Sequence, residues 1–168
     1  MSETKNQPIV LRKAMIKDVP DMARIINAYA SQGQMLPRSH HKLYQEIRDF
    51  VVAVVDGQVV GCGALHVVWA DLAEIRSLAV TQDWLSMGVG RKIMEALIEE
   101  ARSLGLPSVF ALTYRQDFFE RMGFHVVPRE TLPHKIWGEC LDCPQFPNCN
   151  EVAMTIDITQ KEVLEHEG

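Results

Sequence analysis

The sequence is short of the features that would assign it to a membrane or to nucleic acid. No stretch approaches the roughly 20 consecutive apolar residues that a membrane span needs. Lys and Arg total 17 against 22 Asp plus Glu, a net charge of −5. Such a chain has no global field to draw in nucleic acid or an anionic membrane, so an anionic ligand has to be held by a local set of donors. The polar leader, Met1 to Pro8, lacks the apolar run of a secretory signal, which predicts a cytoplasmic protein with reduced thiols. The four cysteines, Cys62, Cys140, Cys143 and Cys149, then need not form disulfides. Internal repeats, low-complexity tracts and linkers long enough to divide domains are missing too.

What is present suits a single domain. The 168 residues are 47% apolar and 23% charged, enough for a sizeable core without metal or disulfide support. Residues 9–158 read as one domain, with 1–8 as a leader and 159–168 as a polar tail. Ile9-Val10-Leu11 suits a short strand. Asp18 with Pro20 just inside marks a helix start, and Met22, Ile25, Ile26 and Tyr29 fall on one face of a helix that Gly33 ends. Pro37 keeps the connector Gln34 to Arg38 extended, and Ser39 caps a second helix, His40 to Arg48. Phe50 to Val55 and Gln58 to Val68 are strands joined by Asp56-Gly57, a strong hairpin signal. With a third strand, Ala73 to Val80, they predict an antiparallel meander.

From Gly88 the period changes to that of a long amphipathic helix, with Val89, Ile93, Leu97, Ile98, Ala101 and Leu104 as its apolar stripe, closed by Gly105. Pro107 to Thr113 reads as a strand, Asp117 to Met122 as a short helix stopped by Gly123, and Phe124 to Val127 as another strand. Residues 128–150 are irregular, and Val152 to Ile158 alternates again. The expected fold class is α/β (α+β): a mixed, mostly antiparallel central sheet flanked by about four helices.

The stretch Leu78-Ala79-Val80, then Ser86-Met87-Gly88-Val89-Gly90-Arg91, carries the strongest chemical signal. A strand that passes through a glycine-bearing turn into a helix N-terminus leaves backbone N–H groups pointing one way, with the positive end of the helix dipole behind them. That arrangement binds phosphate, and Arg91 can add charge. A dinucleotide fingerprint needs a third glycine where Met94 stands, and a P-loop Lys-Ser/Thr is missing. By spacing alone, Gly-x-Gly is also what a bare loop-to-helix turn shows.

The order of elements, with "IRSLAV" ahead of "SMGVGRKIM" and "FFERMGF" after the next strand, resembles the GNAT superfamily of acyl-CoA-dependent N-acetyltransferases over nearly the whole chain. The resemblance implies the GNAT fold. It implies that Ser86, Met87, Gly88, Val89, Gly90 and Arg91 hold the pyrophosphate of acetyl-CoA, and that Leu78, Ala79 and Val80 lend backbone groups to the pantetheine arm and thioester. Two positions depart from the family pattern: Leu85 replaces the usual Arg or Gln before the loop, and Phe119 replaces the Tyr that often protonates the leaving thiolate. The segments Gly33 to Ser39, Ala73 to Val80, Phe110 to Thr113 and Leu132 to Met154 are similar to those of the short, single-domain N-acetylglutamate synthases. That likeness implies L-glutamate as acceptor, the first step of arginine biosynthesis, and substrate contacts from Leu36 (through its backbone), Arg38, Arg76 and Thr113.

The chemistry of these residues fits. The acceptor amine has to lose a proton and its two carboxylates call for cationic partners. Glu74 and Arg76 alternate onto one strand face, a proton acceptor beside a carboxylate anchor, although the same two residues can simply pair on a sheet face. Arg38, in an extended connector, can clamp a carboxylate at two points. Thr113 can hydrogen-bond substrate or relay a proton, or be an ordinary strand residue; Tyr114 is a substitute acid. His66 reads as a core or rim residue rather than a base. His134 with Cys140, Cys143 and Cys149 makes a conceivable Zn²⁺ set, but the spacing lacks the second tight pair of common zinc modules, and buried thiols are the favoured reading, with no metal site assigned. Lys135 can assist a side-chain carboxylate. A homodimer is compatible with the fold. The alternatives are a GNAT enzyme for another small amine or amino acid, and a non-catalytic acyl-CoA-binding or metal-sensing module.

Overall fold

The computed structural model of the protein describes residues 7–132 and 151–159. The expectations for His134, Lys135, Cys140, Cys143 and Cys149 lie outside these residues, as do those for most of the leader and the tail. Among the described residues, no helix is long and apolar enough to cross a membrane.

Among the described residues, seven strands and four α-helices follow one another as β1 (Val10–Lys13), α1 (Val19–Ala30), α2 (His40–Gln45), β2 (Phe50–Val55), β3 (Gln58–Trp69), β4 (Leu72–Val80), α3 (Val89–Ser103), β5 (Ser108–Thr113), α4 (Gln116–Arg121), β6 (His125–Val127) and β7 (Val152–Asp157). The strand order is β1-β2-β3-β4-β5-β7-β6. β1–β2, β2–β3, β5–β7 and β6–β7 are antiparallel, and β4–β5 is parallel, the mixed, mostly antiparallel sheet expected. The described residues fall into two compact units, one drawn from Met1–His66 and Ile75–Glu100, the other from Val67–Glu74 and Ala101–Gly168.

In the first unit the hairpin turn is made as its sequence suggests: Asp56 and Gly57 both have positive φ, 50° and 78°, the requirement of a tight turn whose twist matches the flanking strands. The apolar face of α1 (Val19, Met22, Ile25, Ile26) and Leu43 of α2 pack with Phe50, Val52, Val59, Cys62 and Ala79. Each such large side chain, fully buried, contributes roughly 1.5–3 kcal/mol. α3 approaches β3 where the strand has no side chains. A Cβ on Gly63 would lie 2.8 Å from Ile93 Cγ2, and one on Gly61 3.0 Å from Ile93 Cδ1, so these glycines set the helix–sheet distance.

α1 starts where Asp18 and Pro20 predict, at Val19. Asp18 precedes the helix, but its side chain makes no cap hydrogen bond to it. Its carboxylate instead accepts from Arg12 Nη1 at 2.7 Å and Nη2 at 3.0 Å, and from the Met15 N–H at 2.7 Å. A buried carboxylate gains more from a forked guanidinium than from one cap bond, which explains the choice. The helix ends at Ala30, three residues before Gly33, which lies in the following turn with φ 73°. α2 is shorter than predicted, giving way to a 3-10 turn at Ile47–Asp49, although Ser39 caps it as expected, its Oγ accepting from the Lys42 N–H at 3.1 Å.

In the second unit, Leu72, Phe110, Leu132 and Ala153 form a core joined by Val68, Leu112 and Val127. β7 pairs with all six residues of β5, from Ser108↔Asp157 to Thr113↔Val152. Gly123 (φ 100°) stops α4 as expected, and Phe124 is buried beside Phe119 at 5.0 Å, edge to face. β6 accordingly begins one residue later than predicted, at His125.

Candidate active site

The glycine turn is built as the sequence implies. β4 ends at Val80, and a 3-10 turn (Gln82–Trp84) leads into residues 85–88 and then α3. Ser86 and Gly88 both have positive φ, 66° and 83°. Gly88 needs to be glycine for that conformation, and a Cβ there would meet nothing within 4 Å, so its requirement is backbone freedom and an open approach. The first intrahelical bond is Lys92 N–H to the Gly88 carbonyl at 3.1 Å. By helix geometry the N–H groups of Val89, Gly90 and Arg91 therefore precede the helix's own acceptors and lie at its positive end. The Arg91 guanidinium donates to Glu95 one turn on, at 3.3 Å, both side chains being largely exposed. Leu85 and Met87 are exposed on the turn.

β4 brings several predicted residues into line. Glu74 and Arg76 are both buried, 9% and 7% exposed, so the pair is not an ion pair on an open sheet face. Ser77, the next residue, has φ 53° inside the strand. A left-handed non-glycine residue costs about 1 kcal/mol or more and breaks the alternation of side chains at that point. Its carbonyl accepts the Cys62 thiol at 3.6 Å. Ala79 and Val80 are buried, and the Val80 carbonyl accepts from Tyr29 Oη of α1 at 2.5 Å.

A second cluster lies within the same unit. Arg38 Nη1 is 3.9 Å from Glu46 Oε1, and Arg76 Nη1 is 3.9 Å from Glu46 Oε2. The two predicted anchors thus converge on one carboxylate, each oxygen facing one guanidinium. The trio carries a net charge of +1 with side chains 6–18% exposed, where Coulomb interactions are stronger than at an open surface. The sequence reading missed Glu46. It sits one residue past α2, and only the chain's long-range folding sets it between residues 38 and 76. Leu36, half-buried, lies two residues before Arg38 in the connector.

Thr113, in the second unit, ends β5, and its Oγ1 accepts the Arg115 N–H at 2.8 Å. The hydroxyl shapes the turn into α4 and keeps its own proton to donate. Tyr114 is half-buried. Phe119 is a core residue, edge to face with Phe118 and Phe124. His66 Nδ1 lies 2.8 Å from Asp49 Oδ2, the satisfied rim residue expected. Cys62 is buried, which pushes its thiol up to about 12 and leaves it protonated at neutral pH, unlike a catalytic thiolate.

Comparison with known proteins bears on the fold and the family. A model of the Acetyltransferase (GNAT) family matches residues 19–124. The chain is 41% identical over 144 residues to an uncharacterized N-acetyltransferase of Chlorobaculum tepidum, covering 86% of this chain and 93% of that protein. It is 38% identical over 133 residues to the amino-acid acetyltransferase of Mycobacterium tuberculosis, covering 77% and 76%. Among solved structures, a Mycobacterium tuberculosis protein in complex with CoA superposes with a TM-score of 0.78 at 32% identity, over 88% of this chain and 98% of that one. N-acetylglutamate synthase from Neisseria gonorrhoeae, complexed with coenzyme A and N-acetyl-glutamate, gives 0.83 at 27% identity, over 90% of this chain and 35% of that one. The element order, the glycine turn at the head of α3 and the span of these matches lead to one conclusion: the chain belongs to the GNAT family of N-acetyltransferases.

Proposed function

We propose that this enzyme transfers the acetyl group of acetyl-CoA to the α-amine of L-glutamate, in the cytoplasm, as the first step of arginine biosynthesis. The observation that carries the acceptor assignment is the convergence of Arg38 and Arg76 on Glu46. Two guanidiniums held together suit an acceptor with two carboxylates and repel a polyamine. The relatives named amino-acid acetyltransferase and N-acetylglutamate synthase support the same reading.

In this mechanism Ser86 to Arg91 take the pyrophosphate on the N–H groups at the head of α3. Backbone N–H groups of Leu78 to Val80 polarise the thioester carbonyl, where oxyanion charge develops. Glu74, through water, accepts the amine proton. The freed nitrogen lone pair forms the new C–N bond, and the C–S bond breaks as the tetrahedral intermediate collapses. On collapse the nitrogen gives up its second excess proton, and the CoA thiolate leaves with a proton taken from Thr113, Tyr114 or solvent, which the nitrogen's proton replaces. Arg38, Arg76 and the Leu36 backbone hold the acceptor. The cysteines take no part in this scheme.

The test is CoA release with acetyl-CoA and a panel of acceptors. L-glutamate is expected to outperform other amino acids and a polyamine, and Arg38→Ala to raise the KM for glutamate more than the KM for acetyl-CoA. Equal turnover across the panel refutes the acceptor assignment.

A further inference from the structure

Arg38 lies in a connector between α1 and α2 that forms no strand or helix of its own. A long side chain on such a segment aims poorly unless its backbone is held, and the structure holds it at one place. Asn27 Nδ2 donates to the Arg38 carbonyl at 2.9 Å, and the Arg38 N–H donates to Asn27 Oδ1 at 2.9 Å. One carboxamide thereby satisfies both polar groups of one peptide residue, as a neighbouring strand would. The next residue, Ser39, caps α2, and Glu46, just past the end of that helix, faces the Arg38 guanidinium. Asn27 is also a poor choice for the interior of α1 on propensity alone, about half a kcal/mol worse than alanine, so its place is explained by what it binds outside the helix.

We propose that Asn27 is the positioning residue of the acceptor side of the site: it acts on substrate only through Arg38, by fixing the backbone from which the guanidinium reaches. The proposal rests on Arg38 being a carboxylate anchor. The same helix offers a built-in contrast two residues on, where Tyr29 holds Val80 of the acyl strand instead.

The experiment is steady-state kinetics and thermal melting of the wild type, Asn27→Ala, Arg38→Ala and the double variant. Asn27→Asp, which keeps the acceptor and loses the donor, replaces Asn27→Ala if the latter does not fold. Asn27→Ala is expected to raise the KM for L-glutamate about tenfold and to leave the KM for acetyl-CoA within about twofold. In the Arg38→Ala background the same change is expected to add less than about twofold, because residues acting through one another are not additive. If Arg38→Ala raises the glutamate KM while Asn27→Ala either leaves it alone or multiplies it independently, the positioning role is overturned and the acceptor assignment stands. If Arg38→Ala leaves the glutamate KM unchanged, the anchor reading fails and the role of Asn27 falls with it. Parallel rises in both KM values, with a lowered melting point, mark general loosening of α1 and also overturn the proposal.

Discussion

Asp18 shows how one side chain can serve stability where its position suggests a helix cap. Hydrogen bonds from Arg12 hold its carboxyl below the usual carboxylate range, with burial working against them and the Met15 N–H assisting. A carboxyl lowered by folding contributes fully above its unfolded value, about pH 4, and loses that contribution as pH falls through the lowered one. Asp18→Asn is therefore expected to cost about 1–3 kcal/mol near neutral pH, a difference that urea titrations should show shrinking toward zero below about pH 4. Cys62, whose thiol is raised to about 12, is expected to escape alkylation at pH 8 in the native protein and to react after denaturation, read by peptide mass mapping. Cys62→Ala should retain turnover. Single residues were legible where their chemistry is local: Arg38 follows Pro37, and Arg76 alternates with Glu74. Asn27 and Glu46 were not, because Asn27 meets Arg38 11 residues on and Glu46 joins Arg38 to Arg76, 30 residues away, and no periodicity marks such a link.

At the scale of elements, the reading from sequence succeeded wherever a local rule had no rival. Asp56-Gly57 had to turn, Ser39 had a free helix end to cap, and the stripe of α3 is buried from Val89 to Ala101, although Leu104, predicted to belong to it, lies past the helix end and is exposed. It erred at the far end of α1, which stops at Ala30 rather than at Gly33, and in α2, whose last turn tightened ahead of β2. The close seat of α3 on β3 gives a clean test. Gly63→Ala places a methyl 2.8 Å from Ile93 Cγ2 and is expected to destabilise by about 1–3 kcal/mol, measured by denaturant unfolding. Gly88→Ala meets no steric obstacle but strains a φ of 83°. It is expected to raise the KM for acetyl-CoA several-fold while the KM for L-glutamate moves little, a pattern opposite to that of Arg38→Ala.

For the molecule as a whole, the sequence revealed the succession of elements but not the placement of β7 between β5 and β6. Strand order in a sheet depends on which partners compete for an edge, and alternation along a single strand carries no record of that choice. A ligand that binds only the folded chain stabilises it by mass action, about 2.7 kcal/mol at a hundred times its dissociation constant. Saturating CoA is thus expected to raise the melting temperature of the wild type by several degrees and that of Gly88→Ala by less.

The strand order also has a consequence for handling the protein. Of the seven strands among the described residues, the two at the margins of the sheet are β1 and β6, with four and three residues the shortest of them. So brief a margin offers a neighbouring molecule little ladder to extend. Refolding from urea at rising protein concentration should accordingly return monodisperse material rather than fibrils or precipitate, as light scattering would record.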